Sequence, residues 1–365
     1  NDYFFPNGKL IAIGSIKKNQ PLANLYKEIA SNGIDAFYKG ANAKQMVNAV
    51  QHSKIAPGKL NEQDLANYTS KEREAVCIEY RVYNVCSMAP PSSGGVAVLQ
   101  MLGLLEHKNM GALPVNGEQA LHYFSQASRI AFADRDVYMG DPDFTQVPTK
   151  ELLNKDYIAT RAKLITEQDI TAVAGNPVDY LSYAKDDSFE LPSTSHVSIV
   201  DSQGNAVSMT SSIEMAFGST VMVNGFILNN QLTDFSLSPR KNGQLVANRV
   251  EAGKRPRSSM SPVMVFNKDG SLRLVVGSPG GSRIISYVAQ VVIGVLDWDL
   301  SVQEAINLPR TTNRNDYTSL EKGTALEALA PALSKRGHNV RILDLNSGLH
   351  AVEVKNNTLI GGADP

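Results

Sequence analysis

Residues 192–212, PSTSHVSIVDSQGNAVSMTSS, decide the fold of the second half of the chain. Apolar and polar residues alternate from Thr194 to Asp201 and again from Asn205 to Ser212, on either side of Ser202-Gln203-Gly204. This pattern predicts two strands and a short turn. A three-residue loop with glycine in its last place suits a type I turn closed by a left-handed glycine, so Asp201 is expected to pair with Asn205. That register sets Val200 opposite Ala206, Ser198 opposite Ser208, His196 opposite Thr210 and Thr194 opposite Ser212, all on one side. The other side carries Ile199 with Val207 and Val197 with Met209, and is expected to be the core face. A threonine facing a serine at the mouth of a hairpin, beside a ladder of small hydroxyls, is either a solvent-facing strand surface or part of a polar site.

Outward from the hairpin the texture changes. Residues 1 to about 160 predict mainly helices: PLANLYKEIASNG with its Asn-Gly stop, NEQDLANY with an Asn cap, and a long amphipathic stretch from Glu118 to Tyr138. SMAPPSSGGVAVLQMLGLLE breaks a strand at Pro90-Pro91 and starts a helix after Gly95. From Thr194 strands dominate, in the hairpin, VMVNGFILNNQ, SPVMVFN and LRLVVGS. A helix over TALEALAPALSKRGHNV and a final strand pair around Arg341 to Leu359 follow. Helices outside and antiparallel strands in the middle predict a layered α+β sandwich.

Composition narrows the function. Charged residues are 19% of 365 and the net charge is −1, so there is neither a basic footprint for nucleic acid nor an acidic tail, and a small-molecule partner is expected. The longest apolar run, Ile284 to Leu296, is too short to span a bilayer and predicts a buried helix. Cys77 and Cys86 bracket CIEYRVYNVC, a hairpin pattern; the turn register decides whether they form a disulfide or two buried thiols. They are too few for a zinc site, and the six histidines have no metal-ligand spacing, so no metal or cofactor is expected. The chain opens NDYFFPNG without an initiator Met or a signal peptide and ends LIGGADP, which predicts a processed or truncated piece of a longer protein.

Four stretches of the second half are polar where strands should be apolar. Besides the hairpin they are FILNNQLTDFS, KRPRSSMSP and VVGSPGGSRII. Gln231 and Asp234 could line a polar pocket floor in which Asp234 holds an ammonium, or form a polar turn. Ser258 and Ser259 could bind a carboxylate or merely start a strand. Gly280 and Gly281 before a helix offer backbone N–H groups to an anion, or make a tight turn with Ser282 capping the helix. A phosphate loop is excluded, since both GK[ST] and GxGxxG are missing, and so are GxSxG and HExxH.

These stretches, with AFYKG, APPSSGG, AFADRDVYMGDPDF, TSHVSIVDSQGNAV, NNQLTDFS and GSPGGSRII, all in order along the chain, resemble the gamma-glutamyltranspeptidase family of N-terminal-nucleophile hydrolases. The resemblance implies a four-layer αββα sandwich. It makes residues 1–193 the C-terminal part of a large-subunit region, mostly helical, and residues 194–365 a small-subunit region beginning at the nucleophile, both parts of one αββα domain. It implies self-cleavage of the Ser193–Thr194 bond, after which the Thr194 hydroxyl is the nucleophile and its freed α-amine the base. Ser212 would orient that hydroxyl, and Gly280 and Gly281 would form the oxyanion hole. Gln231 and Asp234, with Glu214 where many members have Asn, would hold the substrate ammonium, and Ser258 and Ser259 its α-carboxylate.

The expected reaction is gamma-glutamyl transfer or hydrolysis of glutathione and related γ-glutamyl amides, with water, an amino acid or a peptide as acceptor. A periplasmic or secreted setting is expected. Two departures stand out: an arginine that family members carry well before residue 1 is absent, and the segment between Asp234 and Ser258 lacks the tyrosine-bearing lid of many bacterial members, which predicts an open site. The alternatives are a poly-γ-glutamate hydrolase, a cephalosporin acylase on the same scaffold, or a binding or self-cleaving protein without turnover.

Overall fold

A computed structural model describes residues 3–179, 181–188 and 193–365, and the chain divides into two compact units: Asn1–Lys71 with Phe217–Asn229, and Glu72–Ala216 with Asn230–Pro365. The smaller unit is built of helices Gln20–Asn32, Asp35–Tyr38, Gly40–Gln51 and Glu62–Ala66. The expected Asn cap is present as a reciprocal pair: the Asn61 side chain accepts from the Asp64 N–H while the Asp64 carboxylate accepts from the Asn61 N–H. Ala43, Met46 and Leu65 form its core, packed by Phe37, Val223 and Phe226. The VMVNGFIL stretch yields only Met222–Val223 paired with Phe226–Ile227, because Asn224 and Gly225 both take positive φ and turn the chain back.

The larger unit holds the strands β1 (Val76–Tyr80), β2 (Tyr83–Ser87), β3 (Ser195–Val200), β4 (Ala206–Ser211), β5 (Val263–Phe266), β6 (Leu272–Gly277), β7 (Thr311–Asn313), β8 (Thr318–Glu321), β9 (Val340–Leu343), β10 (His350–Lys355) and β11 (Thr358–Ala363). Its main helices are α1 (Gly94–Leu105), α2 (Glu118–Tyr138), α3 (Ile284–Leu296) and α4 (Val302–Asn307). Six strands form one antiparallel sheet in the order β1-β2-β5-β6-β10-β11. Val85, Val263, Val265, Leu274 and Val276 face one way from it and pack with α1, α2 and α3 into the main core. Every residue of α1, and of α3 up to Val295, is buried, as the predominantly apolar sequence of α3 predicts. The final strands depart from expectation: Arg341 lies in β9, which pairs in parallel with β8 in a separate three-stranded sheet, and the closing antiparallel pair is β10 with β11.

β1 and β2 pair with Cys77 directly opposite Cys86, and the two form a disulfide. The hairpin closes over Arg81 and Val82, with Arg81 in the left-handed region and its guanidinium held by Asp297 at 2.8 Å.

The opening hairpin has the expected register, from Val200 opposite Ala206 to Ser195 opposite Ser211. Asp201 and Asn205 pair at 3.0 Å, and Gly204 has φ +85°. Its orientation overturns the expected faces. Ile199, Val207 and Met209 are exposed, whereas His196, Ser198, Ser208 and Thr210 turn toward the six-stranded sheet. Polar side chains are tolerated there because each finds a partner: Ser208 donates to the Val276 carbonyl at 3.2 Å, Ser198 to the His350 carbonyl at 3.1 Å, and the His196 ring bonds Thr210 at 2.8 Å and Ser198 at 3.0 Å. Gly277 makes the fit possible, since a Cβ at that position would sit 2.2 Å from the His196 ring. The hairpin therefore lies on the sheet face opposite the helices, anchored by these hydrogen bonds.

Two buried histidine sites make the fold acid-sensitive. Burial, with His350 nearby, pushes His196 down to about 4. Burial and His122, whose ring is 2.8 Å away, push His338 down to about 3. Both groups stay neutral in the folded chain, while in the unfolded chain they take up protons below about pH 6.5. Stability present above that pH is thus lost as pH falls, by about 1.4 kcal/mol per pH unit for each histidine. The urea midpoint is expected to fall steeply between about pH 6.5 and about pH 4.5, and less steeply in His338→Gln. A flat midpoint across that window would show that neither ring is held neutral.

Candidate active site

At the open end of the hairpin the chain brings together most of the polar residues singled out from sequence. Ser193, Thr194, Ser212, Glu214, Gln231, Asp234, Ser258, Ser259 and Gly281 line one cleft, with Met260 and Ile284. β3 begins at Ser195, so Thr194 stands just outside the ladder, one residue beyond the Ser195–Ser211 pair. The hydroxyls of Thr194 and Ser212 converge on one atom: both donate to the carbonyl oxygen of Ser193, Ser212 at 3.0 Å. Ser212 is itself fixed by the Glu214 N–H, which donates to its Oγ at 2.8 Å. Glu214 has φ 71°, uncommon for a side-chain-bearing residue, and its buried carboxylate accepts from the Asn230 amide.

Asp234 is buried at the end of the short 3-10 turn Gln231–Asp234, and the Gln231 amide donates to its carboxylate at 3.3 Å. The paired serines are framed from behind by the APPSSGG segment. Ser92 bridges to Ser258, the Ser93 N–H and hydroxyl both donate to the Ser258 carbonyl at 2.7 Å, and the Ser92 hydroxyl donates to the Met260 carbonyl at 2.5 Å. Ser258 Oγ accepts from the Met260 N–H at 3.1 Å, and Ser259 Oγ accepts from Arg135 at 2.6 Å. A hydroxyl whose oxygen already accepts is set up to donate. Arg135 is 4% exposed and also donates to Ser93 at 2.9 Å, so its charge stands directly behind the serine pair.

Gly280 and Gly281 have φ 135° and 58°, conformations suited to glycine, and Gly281 lines the cleft while Gly280 lies beside it. Ser282 does not cap α3; its hydroxyl accepts from Arg314 at 3.0 Å. Residues 1–365 match the family model described as Gamma-glutamyltranspeptidase. The chain belongs to the gamma-glutamyltranspeptidase family.

Relatives of this family member agree along its whole length. It is 38% identical to the glutathione hydrolase proenzyme of Escherichia coli (strain K12) over 372 residues, covering 99% of this chain and 62% of the relative. It is 36% identical to the Bacillus subtilis (strain 168) glutathione hydrolase proenzyme, covering 100% of this chain and 63% of the relative. The Acylase ACY 1 proenzyme of Pseudomonas sp. (strain SE83) is 34% identical over 98% of this chain and 62% of its own length. The crystal structure of cephalosporin acylase from Bacillus halodurans superimposes with a TM-score of 0.86 at 27% identity, over 100% of this chain and 64% of that one. The chain thus spans less than two thirds of the relatives it matches, and its α+β fold is of the N-terminal-nucleophile hydrolase type.

Sequence reasoning missed three buried polar residues that lie behind the cleft and do not line it. Arg135 sits inside AFADRDVYMGDPDF and Arg257 inside KRPRSSMSP, each quoted only as part of a motif. Asn248 lay in the segment between Asp234 and Ser258, noted only for the tyrosine-bearing lid it lacks. No local pattern marks them.

Proposed function

We propose that the parent protein is a self-cleaving gamma-glutamyltransferase that also hydrolyses glutathione and other γ-glutamyl amides. The observation that carries this reading is the convergence of the Thr194 and Ser212 hydroxyls on the Ser193 carbonyl, in a cleft that also holds Asp234 and the Ser258–Ser259 pair.

In the self-cleavage step the Thr194 hydroxyl attacks the Ser193 carbonyl carbon, the peptide C–N bond breaks as an ester forms on Thr194, and the nitrogen takes up a proton to become the α-amine. Water then hydrolyses the ester, leaving the Ser193 carboxylate and a free Thr194 at the start of the second chain. That amine has an ordinary pKa of about 7.7–8.0, so it is partly neutral near pH 7 and can take the hydroxyl proton during turnover. Residues 1–193 and 194–365 are accordingly read as parts of the large and small subunits of one precursor.

In turnover the γ-glutamyl group passes to the Thr194 oxygen, the amine leaving group departs, and water or an amino acid or peptide takes the acyl group. Gln231 and Asp234, with Glu214, face the substrate ammonium. Ser258 and Ser259 donate to its α-carboxylate, and the N–H groups of Gly280 and Gly281 serve the developing oxyanion. No metal or cofactor is required by this chemistry. The Cys77–Cys86 disulfide favours an oxidising compartment, periplasmic or extracellular.

A cephalosporin acylase is the second reading, favoured by the similarity to Acylase ACY 1 and to the cephalosporin acylase structure. An ammonium-and-carboxylate reader of Asp234 with Ser258 and Ser259 fits a γ-glutamyl group better. Mass spectrometry of the denatured parent protein should find a fragment beginning Thr-Ser-His-Val. Incubation with a γ-glutamyl anilide and with a cephalosporin amide then separates the readings: anilide release without cephalosporin cleavage supports the transferase, and the reverse overturns it.

Ser212→Ala is expected to slow both self-cleavage and anilide turnover about tenfold, the worth of one neutral hydrogen bond at the upper end of its range. Ser212→Thr should retain most of the rate, because the hydroxyl and the strand preference survive. Unchanged progress curves for Ser212→Ala would remove Ser212 from the mechanism.

A further inference from the structure

We propose that the buried junction of Asn248, Arg257 and Asp186 positions two things at once: the chain leading to the Ser193–Thr194 bond, and the turn that carries Asp234. The proposal rests on the reading of Thr194 and Asp234 given above.

Asn248 has no exposed surface, and its side-chain amide is used on both ends. Its Oδ1 accepts from the Arg257 N–H at 2.9 Å, which fixes the backbone immediately before Ser258. Its Nδ2 donates at 2.8 Å to the Asp234 carbonyl and at 2.8 Å to the Asp186 carboxylate. The Asn248 carbonyl also accepts from the Ser236 N–H at 3.0 Å, two residues beyond Asp234. One amide therefore sets the spacing between the Asp234 turn and the Ser258–Ser259 segment, the two halves of the amino-acid reader.

The third arm of the junction runs toward the cleavage bond. Asp186 is 3% exposed and Arg257 1%, and they pair at 3.2 Å. Asp186 also accepts from the Ser188 N–H at 2.9 Å and from its hydroxyl at 3.0 Å, and Arg257 reaches the Ser188 hydroxyl at 3.2 Å. The Asp186 N–H donates to the Asp136 carbonyl at 2.8 Å, which ties the same segment to the C-terminal part of α2. Residues 186 and 188 are clamped a few positions before Ser193, whose carbonyl is gripped by Thr194 and Ser212.

A peptide bond whose preceding chain is anchored a few residues upstream spends more of its time in the geometry of attack, and a misplacement of about 1 Å can cost on the order of 10²-fold in rate. The clamp matters before the cut, because cutting releases the held end. Asn248 matters before and after, because the reader is used at every turnover. Arg257 and Asp186 are therefore positioning residues for self-cleavage, and Asn248 is a positioning residue for both reactions.

The test follows self-cleavage of the full-length protein on denaturing gels, then measures KM and kcat for a γ-glutamyl anilide on protein left until cleavage is complete. Arg257→Met is expected to slow fragment appearance at least about tenfold while the cleaved enzyme keeps its KM within about twofold, and Arg257→Lys should recover part of the lost rate. Asn248→Ala should slow cleavage and raise KM at least about tenfold with kcat changed less than about threefold. If Arg257→Met does not fold, the Asp186→Asn/Arg257→Met double variant, which leaves no unpaired buried charge, is read in its place; if Asn248→Ala does not fold, Asn248→Ser is read with the same criteria. Cleavage of the Arg257 variant at the wild-type rate overturns the clamp, and an unchanged KM in the Asn248 variant overturns the reader role. A wild-type protein that never releases the anilide would instead overturn the proposed function, and the cleavage assay still judges the clamp.

Discussion

Thr194→Ala parent protein is expected to remain a single chain under denaturing conditions and to release no product from a γ-glutamyl anilide above background. The reason is the double use of one oxygen. Before cleavage the Thr194 hydroxyl lies against the Ser193 carbonyl, positioned to attack the carbon one bond away, with Ser212 bonded to the same carbonyl oxygen. In the proposed reaction the same hydroxyl is then the acyl carrier and the same residue supplies the amine base. Removing it eliminates the step outright, and the loss of turnover should be on the order of 10⁴-fold or more, as for other nucleophile deletions. Thr194→Ser is the informative companion, because it keeps the oxygen and should cleave and turn over at a reduced rate. A Thr194→Ala protein that still yields a fragment beginning at residue 194 would place the nucleophile elsewhere.

Asp234→Ala should lower kcat/KM for γ-glutamyl compounds by about two to four decades while self-cleavage proceeds nearly unimpaired. The Asp234 carboxylate is buried on the cleft wall, and a substrate ammonium brought to it would be desolvated as well. Removing one member of such a pair leaves the other charge uncompensated, at about 3–5 kcal/mol. Self-cleavage makes no use of an ammonium, which is why the two rates should separate. An unchanged kcat/KM would mean that the substrate is read from another wall of the cleft.

The local parts of the site were legible in the sequence because their causes are local. Gly204 closes the turn, the turn sets the hairpin register, and the register carries Thr194 toward Ser212. The pairing of Cys77 with Cys86 waited on one fact, the two-residue turn at Arg81 and Val82, which alternation alone does not fix. The inward and outward faces of the same hairpin were misjudged for a physical reason. Hydropathy assigns Ile199, Val207 and Met209 to a core, but the polar face is satisfied by carbonyls of β6 and β10 and by the space that Gly277 leaves for His196. Those partners lie 68 and 152 residues away, so no window of the sequence contains them. Asn248 stayed hidden because its partners, at separations of 9, 14 and 62 residues, are two backbone groups and one carboxylate, and no residue pattern marks a backbone partner.

Ser193 lines the same cleft as the residues proposed to read the substrate, so on the proposed reading the uncut chain is its own plug. Activation of this kind has no second party: the bond to be cut, the group that cuts it and the pocket it blocks all belong to one molecule. Its half-time is then a constant of the fold, indifferent to dilution, and dormancy lasts as long as one carbonyl stays between two hydroxyls.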